Sequence, residues 1–184
     1  MTRTTEPQEP SHATTLHTST AAPDRLTAFK DAFRTHPAGI ALITAQTPEG
    51  PVGLTASSVA SVGLDPTALA FSVTRATGSA GGLLEADSYV VHLLDLPQLA
   101  IAREFAVSGG ERFSDSQGWS TLPTGEPHLA AARAALRCHT LTSLPVGAST
   151  LVLAEVLEVF VGPSNEPLVY RDRTFHAVGP ARTA

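Results

Sequence analysis

Short apolar runs punctuated by tight-turn chemistry recur from Gly39 to Val178 of this 184-residue chain, and that rhythm fits an antiparallel, mainly β architecture. Gly39 to Ala45 and Pro51 to Thr55 flank Thr47 to Gly50, which has the composition of a hairpin turn. Val59 to Leu64 reads as a further extended segment ending at Asp65 and Pro66. Leu69, Phe71 and Val73 then alternate with Ala70, Ser72 and Thr74, as in a strand with one buried face. After a strand at Ser88 to Leu94 come two long β segments. Ala130 to Leu141 carries Ala134, Leu136 and Cys138 on one face, and Thr150 to Val161 is a nearly continuous apolar run broken by Glu155 and Glu158. Leu168 to Arg171 and Arg173 to Val178 form a last hairpin. Helical signals are fewer: Leu26, Phe29, Ala32 and Phe33 recur at helical spacing behind Asp24 as an N-cap, and Pro37 stops them. Ser79 to Ala86 and Pro97 to Ala106 read as short helices, and residues 107–128, with the single tryptophan Trp119, as a long loop. The expected fold is an antiparallel barrel with short peripheral helices.

Length assigns one domain, residues 23–180, behind a flexible tail, residues 1–22, rich in Thr, Ser and Pro. Twelve Lys+Arg against 17 Asp+Glu leave a net charge of −5, a field that repels nucleic acid and anionic lipid. No apolar run is long enough to span a bilayer, and the chain opens without a signal-peptide pattern. One cysteine, Cys138, can neither staple the fold internally nor complete a zinc site, which points to a reducing, cytoplasmic setting. His12 and His17 lack a third ligand, so no metal is expected.

Two stretches carry chemistry. From Gly53 to Pro66, small and hydroxylic residues stand where a core strand would place bulky ones. Thr55, Ala56, Ser57 and Ser58 could therefore admit a planar, polar-edged ligand to the backbone; the same composition also describes a Ser-rich edge strand. About twenty residues on, Arg75, Thr77, Gly78 and Ser79 precede a short helix. A guanidinium and two hydroxyls at that point suit a phosphate, and ordinary helix capping equally.

The order of motifs resembles the short-chain flavin reductase family over about residues 25 to 178. The segments that carry it are His36 to Thr44, Gly53 to Ser58, Ser61 to Pro66, Tyr89 to Leu94, Arg103 to Ala106, Glu111 to Phe113, the Trp119 loop, Pro123 to Pro127, Leu168 to Tyr170 and Arg173 to His176. The resemblance implies an FMN-binding split β-barrel of Greek-key type, a homodimer, and NAD(P)H-dependent reduction of FMN or FAD for a partner flavin-dependent monooxygenase. It further implies that Thr55, Ala56, Ser57 and Ser58 lie along the isoalloxazine edge and that Arg75, Thr77 and Ser79 hold the ribityl phosphate. His176 matches a histidine that some relatives carry after Arg-Phe, a position that could face the flavin or the incoming nicotinamide or could be plain surface, and it is the one candidate for a catalytic side chain.

Three positions depart from the family pattern. Gly147, Ala148 and Ser149 replace a frequent Gly-Asp-His, His92 replaces an asparagine, and the phosphate turn inverts Ser-x-Thr to Thr77-Gly78-Ser79. Two functions follow: a flavin reductase, or a flavin- or planar-ligand-binding barrel without reductase activity that serves as an accessory protein or non-redox catalyst. His92, in an apolar strand, reads as a hydrogen-bonded structural histidine rather than as the alternative, a catalyst. Trp119 could shield the flavin or anchor its loop, and a lone tryptophan more often packs.

Overall fold

A computed structural model describes residues 22–75, 77–107 and 109–179, so the tail expected over residues 1–22 lies outside them except for Ala22. The chain divides between Arg34 and Thr35. Helix α1 (Ala22–Thr35) forms at the spacing of Leu26, Phe29 and Phe33, with the Phe29 and Phe33 rings 4.7 Å apart. Asp24 lies within its first turn rather than at its N-cap, where a carboxylate still opposes the positive helix end.

The second unit carries strands β1 (Ala38–Gly39), β2 (Ala41–Thr47), β3 (Gly50–Ala56), β4 (Ala60–Leu64), β5 (Thr67–Thr74) and β6 (Tyr89–Leu93). They are followed by β7 (Trp119–Thr121), β8 (Pro127–Leu129), β9 (Ala134–Val146), β10 (Ser149–Val161), β11 (Leu168–Arg171) and β12 (Thr174–Ala177). Helix α2 (Ser79–Glu85) follows β5, and α3 (Leu99–Ala106) follows β6 behind a 3-10 turn at Leu96–Gln98. No helix among the described residues is long and apolar enough to cross a membrane.

Seven strands form one antiparallel sheet in the order β3-β2-β6-β9-β10-β5-β4. Its two edge strands, β3 and β4, are consecutive in the chain and joined only by Ser57, Ser58 and Val59. Laid flat, seven strands would hold those edges about 29 Å apart. The link from Ala56 to Ala60 reaches about 14 Å at most. The sheet therefore curls until its edges approach, which makes a barrel with a seam between β3 and the β4–β5 pair. At the seam a side chain replaces the missing ladder: Ser58 Oγ donates to the Ser72 carbonyl at 3.3 Å and accepts the Ser72 N–H at 3.0 Å.

Ile43, Leu69, Phe71, Tyr89, Val91, Cys138 and Val152 fill the curl. A second cluster under α3 joins Leu42, Leu94, Phe105, Leu129 and Leu168. Strand β2 feeds both, Ala41, Ile43 and Ala45 one way and Leu42 the other, which is why it reads as continuously apolar.

The hairpins, the strand after Ser88 and the short helices stand where the sequence places them. The stretch 107–128 is more ordered than expected: it holds a 3-10 turn at Asp115–Gln117 and the two-stranded β7–β8 sheet. Trp119 packs there against Phe113, Phe105 and His92, with centroids 5.0, 5.7 and 5.8 Å away. Strand β9 begins at Ala134 rather than Ala130, because a turn closed by the Ala132 N–H on the Leu129 carbonyl precedes it, and it runs on to Val146.

Candidate functional site

The seam opens into a cavity of about 750 Å³ bounded by the end of β3, the Ser57–Ser58 link, the end of β5, and the turn into α2. Thr55, Ala56, Ser57, Ser58, Arg75, Thr77 and Ser79 all line it. The closing of the barrel brings them together, since β3 and β5 lie at opposite sides of the unrolled sheet.

Their hydrogen bonds divide these residues into two groups. Thr55 Oγ1 donates to the Ala102 carbonyl of α3 at 2.8 Å, and Ser58 is committed to Ser72. Both serve the scaffold first. Arg75, Ser57 and Thr77 have side chains with no hydrogen-bond partner among the described residues, and all three are exposed. Arg75 sits at φ 58°, in the left-handed region, which costs a residue with a Cβ about 1–2 kcal/mol. It is held there by its N–H on the Ala148 carbonyl at 2.9 Å and by the Thr77 N–H on its own carbonyl at 2.7 Å. A strained backbone that presents an unpaired guanidinium to a cavity is the pattern of a ligand site.

The bare backbone at Gly53 has a second use beside the one expected. A Cβ there would lie 2.7 Å from Phe105 Cε1, so the glycine admits the ring of α3, and it lines the cavity as well. Farther along, Ser61, Gly63 and Leu64 line a separate, mainly aliphatic cavity of about 670 Å³. The stretch that opens on the first cavity is thus shorter than Gly53 to Pro66, and runs from Gly53 to Ser58.

Arg112 also lines the cavity, though its residue type alone did not single it out. It donates from Nη1 to the Gly53 carbonyl at 3.1 Å and to Ser79 Oγ at 2.8 Å, and from Nη2 to the Phe105 and Val107 carbonyls at 3.4 and 2.7 Å. The signal present in the sequence was a lone basic residue in a long loop beside two glycines. The Gly147 to Ser149 turn stands behind the Arg75 turn: the Ala148 carbonyl accepts the Arg75 N–H, and Ser149 Oγ lies 3.2 Å from Thr74 Oγ1. His176 is not among the lining residues; it is exposed on β12 with Nε2 3.3 Å from the Arg171 carbonyl.

Away from the seam, polar groups are spent. His92 is fully buried, donates from Nδ1 to the Leu42 carbonyl at 3.1 Å and accepts the Leu129 N–H on Nε2 at 3.1 Å. Burial pushes its pKa down to about 3, so it is a neutral structural histidine. The Cys138 thiol is buried and pushed up to about 12, hence unreactive. No group of three His, Cys, Asp or Glu side chains among the described residues could hold a metal ion.

The model of the flavin reductase like domain matches residues 33–179. An NADH:FMN oxidoreductase of Rhodococcus erythropolis is 36% identical over 182 residues, covering 96% of this chain and 93% of that protein. The reductase component of an FADH2-dependent resorcinol hydroxylase from a Rhizobium is 29% identical over 157 residues, covering 83% of this chain and 87% of its own length. Among solved structures, a flavin reductase domain protein from Arthrobacter superposes with a TM-score of 0.80 at 30% identity, covering 86% of this chain and 98% of that one. Sequence, fold and the closed seam agree, and the chain belongs to the flavin reductase like domain family.

Proposed function

We propose that this protein is an NAD(P)H-dependent flavin reductase that reduces FMN, or FAD, and supplies the reduced flavin to a partner flavin-dependent monooxygenase. The observation that carries the reading is the convergence on one cavity of the unpaired side chains of Arg75, Ser57 and Thr77, with Thr55, Ala56, Ser58 and Ser79 lining it beside them. Its volume of about 750 Å³ falls within the range of roughly 300–1,000 Å³ usual for cofactor sites. When bound, the flavin supplies the redox chemistry, by taking a hydride from the nicotinamide. The chain binds and orients. Arg75 would pair with phosphate oxygens, the Ala56 methyl leaves a ring face clear, and the Ser58 bridge to Ser72 holds the two walls at a fixed separation. The names of the Rhodococcus and Rhizobium relatives support NADH as donor and an oxygenase as recipient.

The domain we assign is residues 23–180. We assign a homodimer as well, since Leu144, Val146 and Leu151 stand 59, 60 and 43% exposed on the β9–β10 hairpin beside the seam and a second copy would cover them. His176 stays a candidate only for a site that such a second copy completes. The net charge of −5 argues against nucleic acid and anionic membranes as partners, and the one free, buried cysteine suits the cytoplasm.

The test is oxidation of NADH or NADPH by the purified protein with added FMN or FAD. Flavin-dependent turnover is expected. Flavin binding without turnover would leave a binding barrel, and no binding of either flavin would remove the site itself.

A further inference from the structure

A serine hydroxyl has one proton to give and two lone pairs to receive with, whereas a guanidinium only donates. At 2.8 Å from Arg112 Nη1, Ser79 Oγ is therefore an acceptor, and its own proton has to go elsewhere. No acceptor for it exists among the described residues, and Ser79 lines the cavity. Arg112 is itself fixed. The same Nη1 reaches the Gly53 carbonyl, Nη2 holds the last carbonyls around the end of α3, and the guanidinium lies 5.4 Å from the centroid of the Phe105 ring. Its Nε is buried without a partner, which makes this cation under-satisfied at the edge of the cavity.

We infer that Arg112 is a positioning residue for the anionic end of the ligand: by donating to Ser79 it turns the Ser79 O–H into the cavity as a charge-assisted donor for a phosphate oxygen. The inference rests on the flavin reading above and goes past it, because the phosphate preference then depends on a residue held by β3 and α3 rather than on the Arg75 turn alone. The ring-edge strand and the phosphate turn are tied through one side chain, by way of Gly53 and Ser79. That sets the distance between the two halves of the site.

The experiment measures dissociation constants for FMN and riboflavin, by quenching of flavin fluorescence, in the full-length protein and in R112M, R112K, S79A and the S79A/R112M double variant. Riboflavin lacks the phosphate. R112M should weaken FMN by about 10-fold or more and riboflavin by less than about 2-fold. With Ser79 removed, the further loss from R112M should shrink, so that the double variant loses less than the product of the two single losses. If R112M does not fold, R112K decides: one ammonium cannot serve Ser79, Gly53 and α3 together, and the FMN-to-riboflavin ratio should still fall, by a smaller factor. Equal losses for the two ligands, or losses that multiply in the double variant, would overturn the inference. R75A run in parallel separates the two levels. A shifted ratio in R75A with none in the Arg112 variants rejects this role alone, and no shift in any variant rejects the phosphate cradle with it.

Discussion

Glu126 and Arg75 are both charged side chains in a chain poor in charge, and the fold treats them oppositely. Glu126 is 2% exposed, and its carboxylate accepts from the Ser88 and Thr124 hydroxyls and from Arg137 Nε. Burial alone would raise its pKa; the bonds from Ser88, Thr124, backbone and Arg137 outweigh that and hold it down to about 2. Arg75 is exposed, its guanidinium has no hydrogen-bond partner among the described residues, and it stands on a strained backbone. One polar region is saturated and holds the fold together. The other is left with unused donors, and the difference between them separates scaffold from site more sharply than residue type does.

Arg137→Met should give the largest effect on the saturated side. It leaves the Glu126 carboxylate buried and uncompensated, and should cost about 2–4 kcal/mol of unfolding free energy in urea, below the full buried-pair figure because Arg137 is 17% exposed. Flavin affinity of the folded fraction should stay within about 2-fold, and a parallel loss of binding would blur the contrast.

Arg75→Ala should do the reverse. FMN binding should weaken by about 1.5–3 kcal/mol, lumiflavin binding much less, and the urea midpoint should hold. A drop in stability without a change in FMN preference would assign Arg75 to the scaffold.

Gly53→Ala tests the boundary between the two regions. Its Cβ would meet Phe105 Cε1 at 2.7 Å, and the overpacking should cost about 1–3 kcal/mol of stability. A variant as stable as the parent, with weakened flavin binding, would return Gly53 to the ligand side.

The smallest effect, read over a single pH unit, is in acid. His92 moves from 6.5 to about 3 on folding, so between those values the unfolded chain binds a proton that the native chain refuses. Its contribution is full above 6.5 and is lost as the pH falls toward 3, at no more than about 1.4 kcal/mol per pH unit for one proton. His128, also lowered by burial, adds in the same direction. Glu126 joins from 4.5 downward, its stabilisation present above that value and lost toward 2. In His92→Gln the decline of the urea midpoint just below pH 6.5 should be shallower, and an unchanged slope would exclude His92 as its source.

Much of the barrel was legible locally. The hairpins, the alternating strand at Leu69 to Val73 and the helix behind Asp24 follow from turn chemistry and from periods of two or 3.6 residues, which neighbours in the chain impose on one another. The hydroxyl-rich link and the arginine turn were legible for the same reason. The 107–128 region was not, because its short β7–β8 sheet has weak periodicity and is held by Trp119 packing on residues of other elements. Thr55 lines the cavity as its residue type suggests, but that α3 takes its hydrogen was not legible, because Ala102 lies 47 residues away in the chain.

By itself, the sequence determined which segments extend, where they turn, and which hydroxyls and cation have the chemistry to meet a phosphorylated ring. Tertiary structure alone decided that those segments face one another across a seam, that Gly53 and Thr55 turn toward a helix, and that Arg112 comes back over 33 residues to Ser79 and over 59 to Gly53. The reason is geometric: a three-residue link forces the edges of a seven-stranded sheet together, and no local propensity records that closure.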